Sequence, residues 1–376
     1  MVDTSEVAAV VIDNGTGMTK AGIAGEDAPK CSFPTLVGRS KMPGIMVSMD
    51  QPDTYVGEEA FKRRGLLKLT APVEHGVIKE WEEMEKIWHH CYYNELKVPP
   101  EEHPCMLTEP PLTDRKTRER MTEMMFETFN VPSFYVGVQS VLALYATGRT
   151  TGVIVESGEG VTHTVPIYEG YCSPHTINKS TVAGRDVTHY LLQLLQEVGQ
   201  SFSIATEKDV IRDIKEKCCY IADDYAKELR ESKESSAKDV LYELPDGSTV
   251  VLGSQRFQCS EVMFTPKLIG RDDVQGIHDM CYESIMRSEP DVRKELYERI
   301  CLSGGNTLYE GFQERLQSSI SSLAQQKIRV WAPAERKYSV WIGGSILSSL
   351  STFSIMWITN QEYNERGFSV LDKKCF

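Results

Sequence analysis

The stretch AAVVIDNGTGMTKAGIAG, residues 8–25, combines an apolar run, an acidic residue, a glycine-spaced turn and a second run. A similar pattern returns in TGVIVESGEGVTHTVPIYEG, residues 151–170. Short apolar runs on either side of glycines predict β-hairpins. We therefore predict one strand–turn–strand hairpin in each half of the chain. Asp13 and Glu156 would each end the first strand of their hairpin.

The glycines in both bends favour phosphate binding. Glycine adopts backbone conformations that a Cβ forbids, so consecutive N–H groups can approach a phosphate oxygen closely. One such bend is weak evidence, because glycines are common in hairpin turns of every function. Two bends in similar contexts instead predict two lobes that grip one polyphosphate between them.

Charged residues beside these bends, and glycine-rich segments later in the chain, suit a nucleotide with its metal ion. Asp13 and Glu156 are candidates to hold a hydrated Mg²⁺, which keeps several waters and takes few protein ligands. Lys20 follows the first bend and can neutralise phosphate charge. CLSGGNTLYEGF, residues 301–312, predicts a strand, a glycine pair and a helix N-terminus that favours a nucleotide. In IGGSILSSL, residues 342–350, close helix packing and nucleotide contact are equally good interpretations of the glycine pair.

Length and composition limit the class of protein. A chain of 376 residues exceeds the size at which one core keeps growing, which predicts two lobes. The net charge of −13 argues against non-specific attraction to nucleic acid. The first residues lack the pattern of a signal peptide and no apolar run is long enough to span a membrane, so we expect a cytoplasmic protein without membrane insertion. The ten cysteines form no CxxC pair, which indicates reduced thiols.

Strand-like and helix-like segments alternate, which indicates an α/β architecture. HPCMLTEPPL, residues 103–112, predicts a strand, and the next segment predicts a helix with a Thr-Asp N-cap at residues 113–114. The apolar residues on one face of that helix are expected in the core. They are Met121, Met124, Met125 and Phe129.

Two segments are expected at the surface, and the second of them is assigned no chemistry. Residues 38–65 are rich in Gly, Pro and Met and predict an exposed, adaptable loop. Residues 227–239 form a charged run that predicts a solvated helix end and loop.

Longer motifs in the chain resemble the actin family. They include DNGTGMTKAGIAGEDAP, EHGVIKEWEEMEKIWHHCYYNEL, MFETFNVPSFYVGVQSVLALYATGRTTG, LSGGNTLYEGF and the terminal KCF. The resemblance covers the whole sequence. It implies an α/β, duplicated two-lobe actin-like ATPase fold with a nucleotide cleft between the lobes, shared with sugar kinases and heat-shock ATPases.

The resemblance also implies a domain division. The small lobe would comprise residues 1–146 and 339–376, with an inserted loop-bearing subdomain at 35–71. The large lobe would comprise residues 147–338, with an inserted subdomain at 183–272.

Matching positions imply a site for ATP or ADP with Mg²⁺, or with Ca²⁺ in vitro. Phosphate contacts are expected from Gly15, Thr16, Gly17, Met18 and Lys20 and from Gly158, Glu159, Gly160 and Val161. The residues expected around the nucleotide are further Gly184, Lys215, Glu216, Gly304, Gly305, Asn306, Leu308, Tyr309 and Lys337. Asp13 and Glu156 would hold the metal through water.

The resemblance implies weak ATP hydrolysis. Gln139 would orient the attacking water and His163 would assist the proton relay, with Glu156 beside them, in an in-line attack on the γ-phosphorus. From its own sequence context, His163 is more simply a core or hairpin histidine. His75 matches a histidine that many actins methylate.

The implied partners are further copies of the chain in a cytoskeletal filament and actin-binding proteins. Residues 41–51 match a loop that inserts into a neighbouring subunit, with Ile45, Met46, Val47 and Met49 as the inserting groups. The matching apolar cleft, a binding surface for amphipathic helices, consists of Tyr145, Gly148, Thr150, Gly170, Leu347, Leu350, Thr352 and Met356.

Several positions depart from the family pattern. Glu156 and Glu159 stand where aspartates are usual, and the longer side chains put hydrolysis in question, since small misplacements in a site slow catalysis. Residues 265–278 carry charges where an apolar plug is usual, namely Lys267, Arg271, Asp272 and Asp273. Thr113 and Lys179 replace the usual Asn and Arg of a phosphate-release gate.

The N-terminal acidic cluster that is usual in the family is represented only by Asp3 and Glu6. This sparse cluster predicts weak binding to myosin.

Three functions therefore stay open. The first is a filament-forming cytoskeletal ATPase. The second is a non-polymerising actin-like subunit, ATP-bound within a stable larger complex such as a motor or remodelling complex. The third is a sugar-kinase-like phosphotransferase, for which the sequence supplies no convincing carboxylate base.

Overall fold

The computed structural model describes residues 7–41, 54–200 and 204–375. Nearly all of the predicted inserting loop, including Ile45, Met46, Val47 and Met49, lies outside these residues, as do Asp3 and Glu6. Within the described residues the chain forms nineteen strands and fourteen α-helices. This content confirms the α/β class.

The strands fall into several sheets and are numbered in chain order. They are β1 (Val10–Asn14), β2 (Met18–Ile23), β3 (Cys31–Pro34), β4 (Val37–Ser40), β5 (Thr54–Val56), β6 (Leu67–Thr70), β7 (Val73–Glu74), β8 (Val77–Ile78), β9 (Cys105–Glu109), β10 (Ser133–Val138), β11 (Gly152–Ser157), β12 (Thr162–Tyr168), β13 (Tyr171–Cys172), β14 (Asn178–Ser180), β15 (Val240–Glu243), β16 (Thr249–Leu252), β17 (Ile300–Ser303), β18 (Val330–Trp331) and β19 (Ile358–Thr359).

The helices are numbered in the same way. They are α1 (Gly57–Lys62), α2 (Trp81–His89), α3 (Arg115–Glu123), α4 (Gln139–Tyr145), α5 (Gly184–Glu197), α6 (Ile204–Cys218), α7 (Tyr225–Glu234), α8 (Gln255–Glu261), α9 (Ile277–Arg287), α10 (Pro290–Tyr297), α11 (Phe312–Ala324), α12 (Ser339–Ser349), α13 (Asn360–Arg366) and α14 (Leu371–Lys374). Short π-helical and 3₁₀ segments extend or connect several of them.

The chain divides into two compact units. Unit 1 comprises residues 1–150, 169–174 and 335–376, and unit 2 comprises residues 151–168 and 175–334. These bounds differ by a few residues from the lobes expected from the resemblance. In particular, residues 335–338 and 169–174 belong to unit 1.

Unit 1 is built on a six-stranded sheet in the order β19-β10-β9-β1-β2-β3. The β1–β2 hairpin is antiparallel, whereas β9 runs parallel to both β1 and β10. Every residue of β1 and β9 is buried. Strands that are covered on both faces are continuous apolar runs rather than alternating ones, which is why VVID and CMLT are so apolar.

Unit 2 repeats this arrangement with different residues. Its sheet contains β12-β11-β17-β18, with β14 paired to β12. The β11–β12 hairpin is antiparallel and β17 runs parallel to β11. Both predicted hairpins are thus confirmed, each with a parallel strand beside its first strand.

The predicted helix after β9 is confirmed. The Asp114 carboxylate accepts a hydrogen bond from Thr117 N at 2.8 Å and caps α3. The apolar stripe of Met121, Met124, Met125 and Phe129 is buried as predicted. Residues 227–239 also behave as predicted, since α7 has no buried residue.

The glycine pair of α12 serves close helix packing. A Cβ on Gly343 would lie 1.8 Å from the Leu142 carbonyl oxygen, and one on Gly344 would lie 2.9 Å from a methyl carbon of Val11. The backbone of α12 therefore approaches α4 more closely than any side chain would allow. Of the two interpretations of this pair, contact with another helix is the one realised in unit 1.

The expectation of a loop over residues 38–65 is wrong for part of that segment. Its described residues form the end of β4, then β5 and α1, with Tyr55 and Ala60 buried in a small core. The glycines and charges of the segment concealed this short apolar pattern. No helix in the described part of the chain is long and apolar enough to cross a membrane.

Candidate functional site

The first bend holds a buried carboxylate that is paired within unit 1. Asp13 lies opposite Lys20 in the β1–β2 ladder, so the hairpin itself brings their side chains together. The Lys20 ammonium donates to Asp13 Oδ2 at 2.6 Å, and Asp13 is only 2% exposed. A charge-assisted bond of this kind fixes the direction of the carboxylate.

Two further side chains converge on the other carboxylate oxygen. Thr108, near the end of β9, donates its hydroxyl to Asp13 Oδ1 at 2.7 Å. Gln139, the first residue of α4, donates from Nε2 to the same oxygen at 3.2 Å. They meet because β1 and β9 are parallel and end at one edge of the sheet, the edge where ligands bind in open α/β sheets.

The backbone of the first bend is tightly folded. A Cβ on Gly15 would lie 2.5 Å from the Met18 carbonyl oxygen, so only glycine fits this position. The Thr35 hydroxyl donates to the Gly15 carbonyl at 2.8 Å. The Thr16 hydroxyl accepts a hydrogen bond from Gly76 N at 3.0 Å, which connects the bend to the residue after His75.

The second bend, in unit 2, is closed by similar backbone contacts. Gly158 N donates to the Val161 carbonyl at 3.1 Å across the turn. Gly304, directly after β17, has φ +87°, and a Cβ there would lie 2.2 Å from the Ser157 carbonyl oxygen. The segment after β17 therefore packs directly against the bend.

A third segment of unit 2 joins this bend at the start of α5. Gly184 N donates to the Gly158 carbonyl at 3.0 Å. The Lys215 ammonium, 5% exposed, donates to the Gly184 carbonyl at 3.0 Å and lies 3.9 Å from a Glu159 carboxylate oxygen. A buried ammonium beside a bend is available to balance the charge of an anionic ligand.

Several buried polar atoms around the second bend have no hydrogen-bond partner among the described residues. Asn306 donates from Nδ2 to Ser157 Oγ at 2.9 Å, but its Oδ1 has no partner. The same holds for Ser303 Oγ, Tyr309 OH and His163 Nε2. Buried polar atoms are nearly always hydrogen-bonded in native proteins, so a cluster of exceptions indicates a place where a ligand or water supplies the partner.

His163 is held in its neutral form. It lies opposite Glu156 on β11 and opposite Lys179 on β14, and it is 1% exposed. Burial, followed by the positive charge of Lys179, lowers the pKa of His163 to about 3. A neutral imidazole can accept a hydrogen bond through Nε2 at physiological pH, but it does not retain a proton there.

The other residues predicted to surround the nucleotide differ in exposure and in the unit to which they belong. Glu216 follows Lys215 on α6, and Leu308 is 43% exposed whereas Asn306 and Tyr309 are buried. Lys337, expected in the large lobe, lies in unit 1 just before α12, with its Nζ 5.7 Å from the Tyr338 ring.

The helix predicted directly after the glycine pair of residues 301–312 is not formed there. Gly305 opens a short 3₁₀ turn, Gly305–Thr307, and α11 begins only at Phe312. A three-residue turn has too few aligned peptides for a helix dipole, so the glycine pair does not supply the helix N-terminus that was expected to favour a nucleotide.

The residues of the predicted apolar cleft all belong to unit 1 and are all at least partly exposed. Gly170 N donates to the Thr150 carbonyl at 2.8 Å, and a Cβ on Gly170 would lie 2.4 Å from the Tyr145 hydroxyl. Leu350 is 48% exposed. Residues 145–150, 170 and 347–356 are distant in sequence but all belong to unit 1.

The charged segment at residues 265–278 is tied to unit 2. Arg271 pairs with Asp273 at 2.9 Å and its guanidinium also contacts the Thr181 hydroxyl at 3.3 Å. Leu268 and Ile269 pack against the core. The segment therefore combines apolar residues that pack against the core with a charged pair that is exposed to solvent.

Thr108 contacts the Asp13 carboxylate at the first bend, although the sequence pattern does not single it out. The CMLTE segment predicts a strand but indicates no role for the polar residue near its end. The signal was the polar residue at the carboxyl end of a second buried strand, where side chains from neighbouring parallel strands meet.

The actin family model matches residues 4–376, essentially the whole chain. The match agrees with the duplicated hairpin-plus-parallel-strand arrangement of the two units. The chain belongs to the actin family.

Proposed function

We propose that this chain binds ATP or ADP with Mg²⁺ and slowly hydrolyses ATP, as an actin that assembles into filaments. Proteins of this family generally bind ATP or ADP with a divalent cation and are weak ATPases. The observation that carries the proposal for this chain is the cluster of unpartnered buried polar atoms around the second bend, Asn306 Oδ1 and Tyr309 OH foremost.

The residues present fit a nucleotide and its metal. Gly15 and Gly304 keep backbone close to each bend with no room for a side chain, which suits phosphate oxygens. Lys20 and Lys215 supply the positive charge. Asp13 and Glu156 would hold the hydrated Mg²⁺, which, when bound, supplies charge neutralisation at the phosphates.

The chain's own side chains would position the attacking water. Gln139 is oriented by its bonds to Asp13 and Thr108, which directs its amide at a fixed point in unit 1. His163, being neutral, would accept a hydrogen bond from the water through Nε2 and orient it without storing the proton. With no strong base, this arrangement supports slow hydrolysis.

Gln139→Ala tests this role. ATP hydrolysis is expected to fall about 100-fold while nucleotide affinity changes little, because an orienting group acts mainly in the transition state. A loss of affinity with an unchanged rate per bound nucleotide would contradict the assignment.

Filament assembly is supported by exposed apolar groups at the end of α12 and after it. Ile346, Leu350 and Ile355, which fall within ten residues of the chain, are 42%, 48% and 76% exposed, and neighbouring exposed apolar side chains can form an interaction surface. The family in general self-associates and binds actin-binding partners. We propose a cytoplasmic, cytoskeletal location on the same basis.

The second candidate is a non-polymerising, ATP-bound subunit of a larger complex. It is favoured by the charged segment at residues 265–278, since Arg271 and Asp273 would have to be desolvated in a filament contact. The longer carboxylates Glu156 and Glu159 also favour the second candidate, because they are expected to slow ATP hydrolysis.

Sedimentation after addition of Mg²⁺, salt and ATP, with phosphate release measured in parallel, separates the candidates. A filament former should pellet and release phosphate on assembly. A protein that stays in the supernatant well above micromolar concentration, ATP-bound and with a stoichiometric partner, would support the second candidate. ATP-dependent phosphorylation of a hexose would instead support the phosphotransferase.

A further inference from the structure

Two cysteines of unit 2 that are 40 residues apart in sequence bring their sulfur atoms together. Cys219 follows the last residue of α6, and Cys259 lies in the middle of α8. Their Sγ atoms are 3.4 Å apart. Cys259 is completely buried and Cys219 is 8% exposed.

The backbone around these thiols is fixed by hydrogen bonds between the two segments. Tyr220 N donates to the Arg256 carbonyl at 3.1 Å, and the Arg256 guanidinium donates to the Cys218 carbonyl at 2.7 Å. The Ser260 hydroxyl donates to the Tyr220 carbonyl. Residues directly adjacent to each cysteine are therefore hydrogen-bonded to the other segment. These backbone contacts hold the two sulfur atoms close together.

We propose that Cys219 and Cys259 are a site of oxidative modification, which a hydroperoxide converts into an intramolecular disulfide. The sulfur atoms need to approach by about 1.3 Å to reach the disulfide bond length of about 2.05 Å. Nothing in the proposed nucleotide chemistry uses these thiols, so the inference does not depend on the proposed function.

The reaction balances with one peroxide for each pair. One thiol loses its proton, and its sulfur attacks a peroxide oxygen, so an S–O bond forms, the O–O bond breaks and hydroxide leaves. The second sulfur, after losing its own proton, attacks the sulfenic sulfur, so the S–S bond forms and the S–O bond breaks. Two thiols and one hydrogen peroxide give one disulfide and two waters.

Protonation sets the rate of this reaction. The hydrogen bond with Cys259, ahead of burial, raises the pKa of the Cys219 thiol well above its usual value. Since the thiolate is the nucleophile, oxidation should be slow at neutral pH and should accelerate as the pH rises. Because both thiols are buried, peroxide reaches the pair only through local opening of the chain, which slows the reaction further.

Peptide mapping of the folded, reduced chain after exposure to hydrogen peroxide tests the site. After alkylation and tryptic digestion without reductant, we expect peptide 218–227 to be joined to peptide 257–267 through a bond that dithiothreitol breaks. Because peptide 218–227 contains both Cys218 and Cys219, variants assign the bond. Cys218→Ser should keep the link, whereas Cys219→Ser and Cys259→Ser should lose it.

Thermal unfolding gives a second, independent readout. Closing a loop restricts the unfolded chain, so the oxidised protein should unfold at a higher temperature than the reduced protein, and dithiothreitol should reverse the shift. Cys259→Ser should show no peroxide-dependent rise. A link that persists in Cys219→Ser, or peroxide treatment that leaves folded chain with both thiols free or converted only to sulfinic acids, would overturn the proposal.

Discussion

At the first bend the Asp13 carboxylate receives hydrogen bonds from Lys20, Thr108 and Gln139 within unit 1, whereas at the second bend polar atoms such as Asn306 Oδ1 lack partners among the described residues. Both bends follow the same strand arrangement. The difference lies in how their polar groups are satisfied.

This contrast predicts different consequences of mutation. A group whose partners are inside the protein contributes to its stability, and its removal leaves a buried partner unsatisfied. A group without an internal partner contributes little to stability, and its removal should affect mainly the ligand. Variants at the two bends can therefore test the comparison.

The largest effect is expected from Gly304→Ala. The new Cβ would lie 2.2 Å from the Ser157 carbonyl oxygen at a residue with φ +87°, so the second bend must shift. We expect a loss of about 4 kcal/mol in the free energy of unfolding together with loss of ATP binding. Gly65→Ala is the control, because a Cβ there meets nothing within 4 Å and Gly65 lies outside the predicted nucleotide site. Equal effects of the two substitutions in urea unfolding would contradict this account of the bend.

Asp13→Asn should disturb the first bend. It leaves the Lys20 ammonium, whose side chain is 14% exposed, without its negative partner. Removing one member of a buried ion pair typically destabilises a protein by about 3 kcal/mol. The double variant Asp13→Asn with Lys20→Met should recover part of that loss, as measured by chemical denaturation. Additive losses in the double variant would argue that the two side chains do not depend on one another.

The neutral His163 makes stability depend on pH. Its pKa is lowered from 6.5 to about 3 in the folded chain, so between these values the unfolded chain binds the extra proton and acid favours unfolding. Between pH 7 and pH 5 we expect this residue to lower the free energy of unfolding by about 2 kcal/mol. The comparison is made against His163→Gln by denaturation at several pH values. Parallel pH profiles for the two proteins would show that the folded imidazole titrates normally.

Tyr309→Phe should give the smallest and most selective effect. The hydroxyl has no hydrogen-bond partner among the described residues, so its removal should leave the unfolding midpoint unchanged. Affinity for ATP should fall about fivefold, because the variant loses one hydrogen bond between the Tyr309 hydroxyl and the bound nucleotide or its water. A destabilised variant with unchanged affinity would place an internal partner on this hydroxyl and weaken the comparison.

Local patterns allowed much of the fold to be predicted. Both hairpins, the capped helix α3 and its buried methionines follow from short-range periodicity and capping chemistry, which the sequence displays directly. The loop expected over residues 38–65 was wrong in part, because the apolar residues of β5 and α1 are too few to show a period.

The convergence at Asp13 could not be predicted from spacing. Thr108 and Gln139 reach this carboxylate from 95 and 126 residues away, through parallel strand pairing that no local pattern specifies. The resemblance to actins suggested Gln139, but it did not indicate Thr108. The nucleotide and metal assignments themselves remain predictions.

Titration of the purified chain with ATP in the presence of Mg²⁺, followed by calorimetry, tests the central claim most directly. The account predicts one nucleotide per chain with a micromolar or tighter dissociation constant, kept in Gly65→Ala and lost in Gly304→Ala. Absence of binding by the folded wild-type chain at millimolar ATP would contradict it.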